Sequence, residues 1–203
     1  KIDAVMTLET HNIVAFQNAF RCLTHHLDTR RLFAAQVRDQ FGAGPLVVAS
    51  PDPGGVKRAQ LFQDALEVEF DKPVGFAFME KRRSDDAVTG SLLVGDVAGA
   101  TVIVIDDLIS TGGTILRMAQ ACLEKDAAAV HAFAAHGLFA GDAASRMADP
   151  DLAGVVVTDT VTPFRLGGAA GRLQIVSAAP LFGRAIQCCH EDGSLVALLE
   201  DKD

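Results

Sequence analysis

Residues 102–114 read VIVIDDLISTGGT and give the strongest indication of the fold. The first four, all β-branched, are typical of a buried strand, and the small residues after the two aspartates are typical of a loop that opens a helix. Gly112 and Gly113 allow the backbone to approach a ligand closely, and the amides at a helix start attract anions. The stretch therefore predicts a strand, a phosphate-binding loop and a helix that begins at Thr114.

The side chains of this loop suit two different parts of a ligand. The hydroxyls of Ser110, Thr111 and Thr114 can complete the hydrogen-bond shell of a phosphate. Asp106 and Asp107 would repel a phosphate, so they are better placed to accept hydrogen bonds from sugar hydroxyls. The plainer alternative is an acidic turn with a threonine cap and a glycine kink. The chain contains no GxxxxGKS, GxxxxGKT or GxGxxG pattern, so neither common nucleotide-binding loop is predicted.

Short apolar runs alternate with helical patterns along the rest of the chain. Strands are predicted at residues 4–8, 46–49, 74–79, 101–105, 129–133, 155–158 and 173–176. Helices are predicted at residues 11–20, 57–66, 114–125, 141–147 and 180–187, between a cap at Asp28 and a stop at Gly42, and a closing segment at 194–199. Apolar strands without strict alternation, separated by helices, indicate an α/β fold whose parallel sheet has helices on both faces. Ligands of such sheets bind beyond the carboxyl ends of the strands, where this loop is expected.

Composition and charge limit the classes of protein to which the chain can belong. The 203 residues are 49% hydrophobic and 22% charged, which suits one domain, or one domain plus a remnant, with a substantial core. The formal net charge of −8 argues against binding to nucleic acid or to an anionic membrane surface. No apolar run is long enough to span a membrane and no secretory leader is recognisable, so a cytoplasmic location is expected.

Residues 105–114 resemble the motif for phosphoribosyl diphosphate (PRPP) that type I phosphoribosyltransferases share with ribose-phosphate diphosphokinases, the PRPP synthetases. Three further segments resemble PRPP synthetase motifs in the matching order, namely TLETH at 7–11, SPDPGGVKR at 50–58 and EKRRS at 80–84. HGLF at 136–139 and TDTV at 158–161 are also similar to that family. The resemblance covers essentially the whole chain and favours the PRPP synthetases.

The resemblance implies a parallel-sheet, type I phosphoribosyltransferase-like fold and a particular division of the chain. Residues 1–28 are expected to be the C-terminal remnant of one such domain, and residues 29–203 the C-terminal domain that carries the PRPP loop. The segments that hold adenine lie in the earlier part of the N-terminal domain of the family. The chain is therefore expected to hold a ribose 5-phosphate site without a complete ATP site.

Lys81 and Arg83 follow a predicted strand and enter a polar stretch that ends at Gly90, which suggests a mobile loop. A lysine point charge and an arginine fork suit the charge that develops on oxygens during diphosphoryl transfer. Read from the local sequence alone, the same residues could form an ordinary solvated turn. The resemblance makes Lys81 and Arg83 the catalytic basic pair.

Asp52 lies in a proline- and glycine-rich segment after a predicted strand, where a carboxylate suits Mg²⁺ and the glycine amides suit phosphate oxygens. The alternative is a simple turn. His11 by itself is more typical of a helix cap or a surface residue. The resemblance implies that Asp52 and His11 contribute to the magnesium site, either by direct ligation or through water.

The resemblance implies transfer of the diphosphoryl group of MgATP to the 1-hydroxyl of ribose 5-phosphate, which gives PRPP and AMP. Ser110, Thr111, Gly112, Gly113 and Thr114 would bind the 5-phosphate. The implied cofactor is Mg²⁺, the implied partners are ATP and ribose 5-phosphate, and the implied assembly is a homo-oligomer from dimer to hexamer. Two alternatives remain, a type I phosphoribosyltransferase that consumes PRPP and a non-catalytic regulatory relative of the PRPP synthetases.

Overall fold

The computed structural model describes residues 2–42, 44–84, 87–162, 166 and 171–200, and for residues 81–84 and 87–91 it describes the backbone only. In chain order the elements are β1 (Ala4–Leu8), α1 (Ile13–Ala19), β2 (Leu23–Leu27), α2 (Arg30–Phe41), β3 (Leu46–Ser50), a 3₁₀ helix (Pro53–Gly55), α3 (Val56–Phe70), β4 (Gly75–Ser84), β5 (Ala87–Val94), β6 (Thr101–Ile109), α4 (Gly113–Leu123), β7 (Ala129–Gly137), α5 (Ala143–Met147), β8 (Gly154–Thr158), β9 (Leu173–Val176), α6 (Ala179–His190) and α7 (Leu195–Glu200). Within these described ranges, no helix combines the length and the apolar composition that crossing a membrane requires.

A seven-stranded sheet in the order β5-β4-β3-β6-β7-β8-β9 forms the centre of the fold. Its neighbouring strands are parallel, except that β5 runs antiparallel to β4. Strand β6 lies between β3 and β7, the position in which both edges of a strand are paired and both faces are covered.

Alternate side chains of strand β6 pack against helices on the two opposite faces of this sheet. Val102 and Val104 belong to the core that α4 and α5 cover, whereas Ile103 and Ile105 belong to the core that α2 and α3 cover. All four side chains are buried. Because a strand buried on both faces needs apolar residues at successive positions, its sequence shows no alternation. The predicted α/β fold with helices on both faces is confirmed.

A second, smaller sheet consists of β1 and β2, which pair in parallel and are joined by α1. Its buried Leu8 and Leu27 share a core with Leu181 and Ala185 of α6. Helices near the end of the chain therefore complete the core of the unit that begins it. The boundary after residue 28 stays a prediction, because the small sheet ends just before it but draws its core partners from the predicted second domain.

Two strands lie where the sequence predicts none. Strand β2 carries His25 and His26 at its centre, which interrupt its apolar pattern, and pairing with β1 stabilises it as a strand. The second is β5, at the edge of the seven-stranded sheet. Strand β4 continues through Ser84 and pairs with β5, so the loop predicted after Met79 is wrong in its secondary structure. The pairing of β3 with β4 ends at Phe78, so beyond that point β4 pairs with β5 alone. A two-stranded ribbon beyond the covered sheet does not require apolar residues, which is why its sequence resembles a loop.

Candidate functional site

Strand β6 extends four residues further than its apolar run predicts. It pairs with β7 as far as Ile109 and Gly137, which places Asp106 and Asp107 within the strand rather than in the loop after it. The two carboxylates are thus fixed by a sheet backbone at the carboxyl end of the central strand. A rigid backbone here restricts where a bound sugar could lie.

Asp107 is the more deeply placed carboxylate, with 4% of its side chain exposed. Its Oδ2 lies 2.8 Å from Nδ1 of His11, whose side chain is 82% exposed. Arg58 of α3 approaches both carboxylates, with Nη1 3.4 Å from Oδ1 of Asp106 and Nη2 3.7 Å from Oδ1 of Asp107. One guanidinium therefore compensates part of the negative charge of the pair.

The two carboxyls have pKa values that shift in opposite directions. Burial, together with the hydrogen bond and the charge of Asp107, raises the pKa of Asp106 to about 7, although the charge of Arg58 acts to lower it. Burial also acts to raise the pKa of Asp107, but the Asp106 hydrogen bond, the charge of Arg58 and the contact with His11 together lower it below its usual value. Close carboxyls of this kind titrate as a pair. These shifts mean that Asp107 loses its proton at a lower pH than Asp106 does.

Glu9, at the end of β1, supports Arg58 from the other side. Its side chain is 6% exposed, and Oε2 lies 3.3 Å from Nε of Arg58. Oε1 accepts hydrogen bonds from the amide of Thr29 at 3.0 Å and from its hydroxyl at 3.1 Å. Neither Glu9 nor Arg58 was predicted as a site residue. Both lie in segments that carry the family resemblance, and that position was the only sequence feature that pointed to them.

His136, at the end of β7, holds the end of β1 in place. Its Nε2 lies 3.0 Å from the carbonyl oxygen of Leu8 and 3.2 Å from that of Glu9, while Nδ1 lies 2.7 Å from Oγ1 of Thr160. Because both partners of Nε2 are acceptors, this nitrogen carries a proton. Glu9 itself has φ of +44°. The histidine therefore stabilises an unusual backbone conformation beside the acidic pair.

The loop after β6 turns at Gly112, whose φ of +75° is favourable for glycine. Helix α4 begins at Gly113, one residue before the predicted start. On one side of the loop, Nη1 of Arg146 donates a hydrogen bond of 2.8 Å to the carbonyl of Thr111. A side chain at position 112 would meet Cε of Met147 at 2.5 Å. The backbone of the loop therefore lies directly against α5.

A cavity of about 310 Å³ joins the acidic pair to the loop. Its lining includes eight of the residues predicted for the site, which are His11, Asp52, Asp106, Asp107, Ser110, Thr111, Gly112 and Thr114. Gly113 instead lines a neighbouring cavity with Arg117 and Arg146. The side chains of Lys81 and Arg83 lie outside the described part of the chain, and their backbone lies in β4.

Asp52 stands at the start of the 3₁₀ helix, where its Oδ1 accepts a hydrogen bond of 3.0 Å from the amide of Gly55. Oγ of Ser50 donates to the carbonyl of Asp52 at 2.7 Å. A Cβ atom on Gly55 would lie 2.7 Å from Oγ of Ser50, so this close approach requires glycine. The turn presents the Asp52 carboxylate at the carboxyl end of β3, beside the end of β6.

The donor set of the cavity fits magnesium chemistry. Asp52, Asp106 and Asp107 supply carboxylate oxygens, which Mg²⁺ prefers as ligands. Among the residues that the structure describes, no three His, Cys, Asp or Glu side chains come close enough to enclose a metal ion. Such a site suits an ion held by one or two carboxylates together with water and substrate phosphates. Nδ1 of His11 already contacts the Asp107 carboxylate, so this nitrogen would orient that carboxylate toward an ion rather than bind the ion itself.

The chain is similar to known proteins along most of its length. The phosphoribosyl transferase domain family matches residues 25–164. A ribose-phosphate pyrophosphokinase of Agrobacterium fabrum is 33% identical over 199 residues, which are 98% of this chain and 62% of the relative. A ribose-phosphate pyrophosphokinase of Mycobacterium tuberculosis is 35% identical over 202 residues, with 98% of this chain and 60% of the relative covered.

Among solved structures, phosphoribosylpyrophosphate synthetase of Mycobacterium smegmatis superimposes with a TM-score of 0.77 at 30% identity. The match covers 94% of this chain and 60% of that structure. The chain thus spans about three-fifths of the length of the relatives it matches. These similarities confirm the resemblance that the motifs carry.

Proposed function

Since this chain belongs to the phosphoribosyl transferase domain family, we propose that it provides the ribose 5-phosphate site of a ribose-phosphate diphosphokinase. The reaction would transfer the diphosphoryl group of MgATP to the 1-hydroxyl of ribose 5-phosphate and give PRPP and AMP. One observation carries the proposal. A single cavity is lined by two strand-borne carboxylates and by a loop of hydroxyl and glycine residues at a helix start.

Each part of that cavity suits one part of ribose 5-phosphate. The hydroxyls of Ser110, Thr111 and Thr114, together with the amide of Gly112, would hold the 5-phosphate. The amide of Gly113 would join them from the neighbouring cavity, which Thr111 and Thr114 also line. Asp106 and Asp107 would accept or share hydrogen bonds with the ribose hydroxyls. A protonated Asp106 can donate to a hydroxyl while an ionised Asp107 accepts from one, so the opposite pKa shifts of the pair suit a diol.

The magnesium-linked phosphates of the second substrate would lie near Asp52 and His11. Bound Mg²⁺ would neutralise phosphate charge and orient the diphosphoryl group. Asp52 would hold the ion by a carboxylate oxygen. His11 would act through Asp107, whose Oδ2 lies 2.8 Å from its Nδ1.

Lys81 and Arg83 would stabilise the charge that develops during transfer. Support comes from the course of β4, which continues beyond its last pairing with β3 at Phe78. Residues 81–84 therefore extend past the carboxyl end of β3, on the edge of the sheet where Asp52 lies. Because the sugar hydroxyl is the nucleophile, alignment and charge stabilisation would supply most of the rate gain without a covalent enzyme intermediate.

The test is an assay with γ-labelled ATP and ribose 5-phosphate, run on this chain and on the complete product of its gene. We expect labelled PRPP from the complete product, and binding of ribose 5-phosphate but little turnover by this chain. A parallel incubation with PRPP and nucleobases distinguishes the first alternative. Nucleotide formation there would identify a phosphoribosyltransferase, and absence of both products from a protein that binds ribose 5-phosphate would identify a non-catalytic relative.

We also infer that the protein works in the cytoplasm as a homo-oligomer, from dimer to hexamer. Exposed apolar side chains on or beside the small β1–β2 sheet and on the helices α1, α6 and α7 support self-association, because exposed apolar surface is commonly covered by another protein surface. They are Ile2, Val14, Leu23, Ile186 and Val196. Sedimentation velocity of the complete product would test this, and a monomer at micromolar concentration would contradict it.

A further inference from the structure

Helix α5 is attached to the phosphate loop by two different contacts. Nη1 of Arg146 donates a hydrogen bond to the carbonyl oxygen of Thr111 at 2.8 Å. The next residue of α5, Met147, is buried and lies where a side chain on Gly112 would be. A polar contact and a steric contact from consecutive residues thus act on one peptide unit, the link between Thr111 and Gly112.

The orientation of that peptide unit determines where an amide points. In a trans peptide the carbonyl and the following N–H point in opposite directions. The carbonyl of Thr111 points toward Arg146, so the N–H of Gly112 points away from it. Arg146 lines a neighbouring cavity, and Thr111 and Thr114 line both that cavity and the one that contains Asp106, Asp107 and Gly112. The hydrogen bond made by Arg146 therefore fixes the Gly112 amide facing away from Arg146, in a segment that lines the cavity of the acidic pair.

We propose that Arg146 is a positioning residue for the 5-phosphate, which acts through the Thr111 carbonyl to aim the Gly112 amide at the ligand. The inference rests on the proposed function, because it assigns this loop to a sugar phosphate. Arg146 is not among the residues that line the cavity of the acidic pair, so the role assigned to it acts through the loop backbone. Its role is to keep a donor oriented before the phosphate arrives, so that binding does not have to order the loop.

The surroundings of Arg146 explain how a side chain on a short helix can hold this geometry. Its Nη2 lies 3.4 Å from Oδ2 of Asp142, one turn earlier in the same segment, while Nη1 faces the loop. The planar guanidinium thus connects a carboxylate of its own segment to the loop carbonyl. Its Nη1 also lies 3.6 Å from the place where a Cβ atom on Gly113 would be, so the contact follows the loop into the first turn of α4.

The decisive comparison is between Arg146→Met and Arg172→Met in the full chain. Arg172 also donates to backbone carbonyls, those of Asp149 at 2.8 Å and Leu152 at 2.9 Å, which belong to the segment after α5 and not to the phosphate loop. Both variants remove an arginine-to-carbonyl contact and keep an apolar stem. Only Arg146→Met should change the loop, so a general loss of stability is separated from a loss of positioning.

Two measurements are made on the wild type and on each variant. Calorimetric titration with ribose 5-phosphate should give a Kd about fivefold weaker for Arg146→Met and unchanged for Arg172→Met, the size expected for one partly exposed charge-assisted hydrogen bond. Amide exchange of Gly112 and Gly113, followed by NMR without ligand, should become faster in Arg146→Met only. Arg146→Lys, which keeps a donor and a charge, should restore most of both properties.

The proposal is overturned if Arg146→Met leaves the exchange of the two glycine amides unchanged, or if Arg172→Met weakens ribose 5-phosphate binding equally. Failure of the proposed function has a different signature, because the wild type would then not bind ribose 5-phosphate at all. In that case amide exchange still decides whether Arg146 orders the loop. Faster exchange in Arg146→Met alone supports the positioning role, and unchanged exchange contradicts it.

Discussion

Arg58 and Glu9 lie 49 residues apart in the sequence and form an ion pair, in which Nε of Arg58 lies 3.3 Å from Oε2 of Glu9. Arg58 is the link between this buried glutamate and the acidic pair of β6, since its other nitrogens face Asp106 and Asp107. Three carboxylates therefore share one guanidinium at the carboxyl end of the sheet.

Removing that guanidinium should destabilise the fold. Arg58→Met leaves Glu9 buried without this cationic partner and leaves Asp107 with His11 alone, and we expect a loss of about 3 kcal/mol in the free energy of unfolding. Urea denaturation measures this loss. The double variant Glu9→Gln with Arg58→Met should recover part of it, because one of the uncompensated charges is gone. A loss below about 1 kcal/mol would show that solvent screens these charges effectively.

The raised pKa of Asp106 predicts a pH dependence of stability. Burial raises that pKa to about 7 in the folded protein, whereas an aspartate in an unfolded chain titrates at about 3.9. Between these values the folded state retains a proton that the unfolded state has lost, so the contribution of Asp106 to stability falls as the pH rises through this window. Asp106→Asn cannot ionise, and it should therefore be more stable than the wild type at pH 7 and gain less at pH 5.

Urea denaturation at several pH values between 4 and 8 tests this prediction. The lowered pKa of Asp107 acts in the opposite direction, because its contribution is present at higher pH and is lost on acidification. Asp106→Asn also removes the Asp106 hydrogen bond that helps to lower the pKa of Asp107, so the comparison is repeated in an Asp107→Asn background, where the Asp107 contribution is absent. Asp64→Asn, on the exposed side of α3, is the control for a general change in net charge. A constant difference between Asp106→Asn and the wild type would contradict the assignment.

Gly112→Ala should damage the loop in two ways. Its φ of +75° costs an alanine about 1–2 kcal/mol, and the new Cβ would meet Met147 at 2.5 Å. We expect loss of stability together with at least a tenfold weaker Kd for ribose 5-phosphate, measured by calorimetry. Gly99→Ala is the matched control, because Gly99 has φ of +67° and no atom within 4 Å of the new Cβ. If the two substitutions lower the free energy of unfolding equally, backbone strain alone accounts for the loss and contact with α5 does not contribute.

Lys81→Ala should separate turnover from binding. If Lys81 stabilises the charge of the transferring group, the substitution should lower kcat of the complete gene product by about a hundredfold or more. Ribose 5-phosphate should bind nearly as before, because the cavity at β6 does not depend on this residue. Arg82→Ala, its neighbour, should lower kcat far less. Equal losses of kcat and of ribose 5-phosphate affinity would contradict a catalytic role.

The local parts of the site could be predicted from the amino-acid sequence. Residues 102–114 predicted a buried strand, a glycine loop and a helix start, because these depend on the chemistry of neighbouring residues along one segment. The alternation of apolar runs and helical patterns predicted the α/β class for the same reason. Most residues predicted for the site do line one cavity, since parallel strands bring their carboxyl ends to one edge.

The contacts that support these parts depend on the folded chain. The length of β6 depends on pairing with β7, and no local property of the two aspartates shows that they continue a strand. The polar β4–β5 ribbon resembled a loop, because it pairs outside the covered sheet. His11 and Asp107 lie 96 residues apart, and Arg146 and Thr111 lie 35 apart. Such contacts follow from the packing of helices and strands that meet only after folding, so a linear pattern does not contain them.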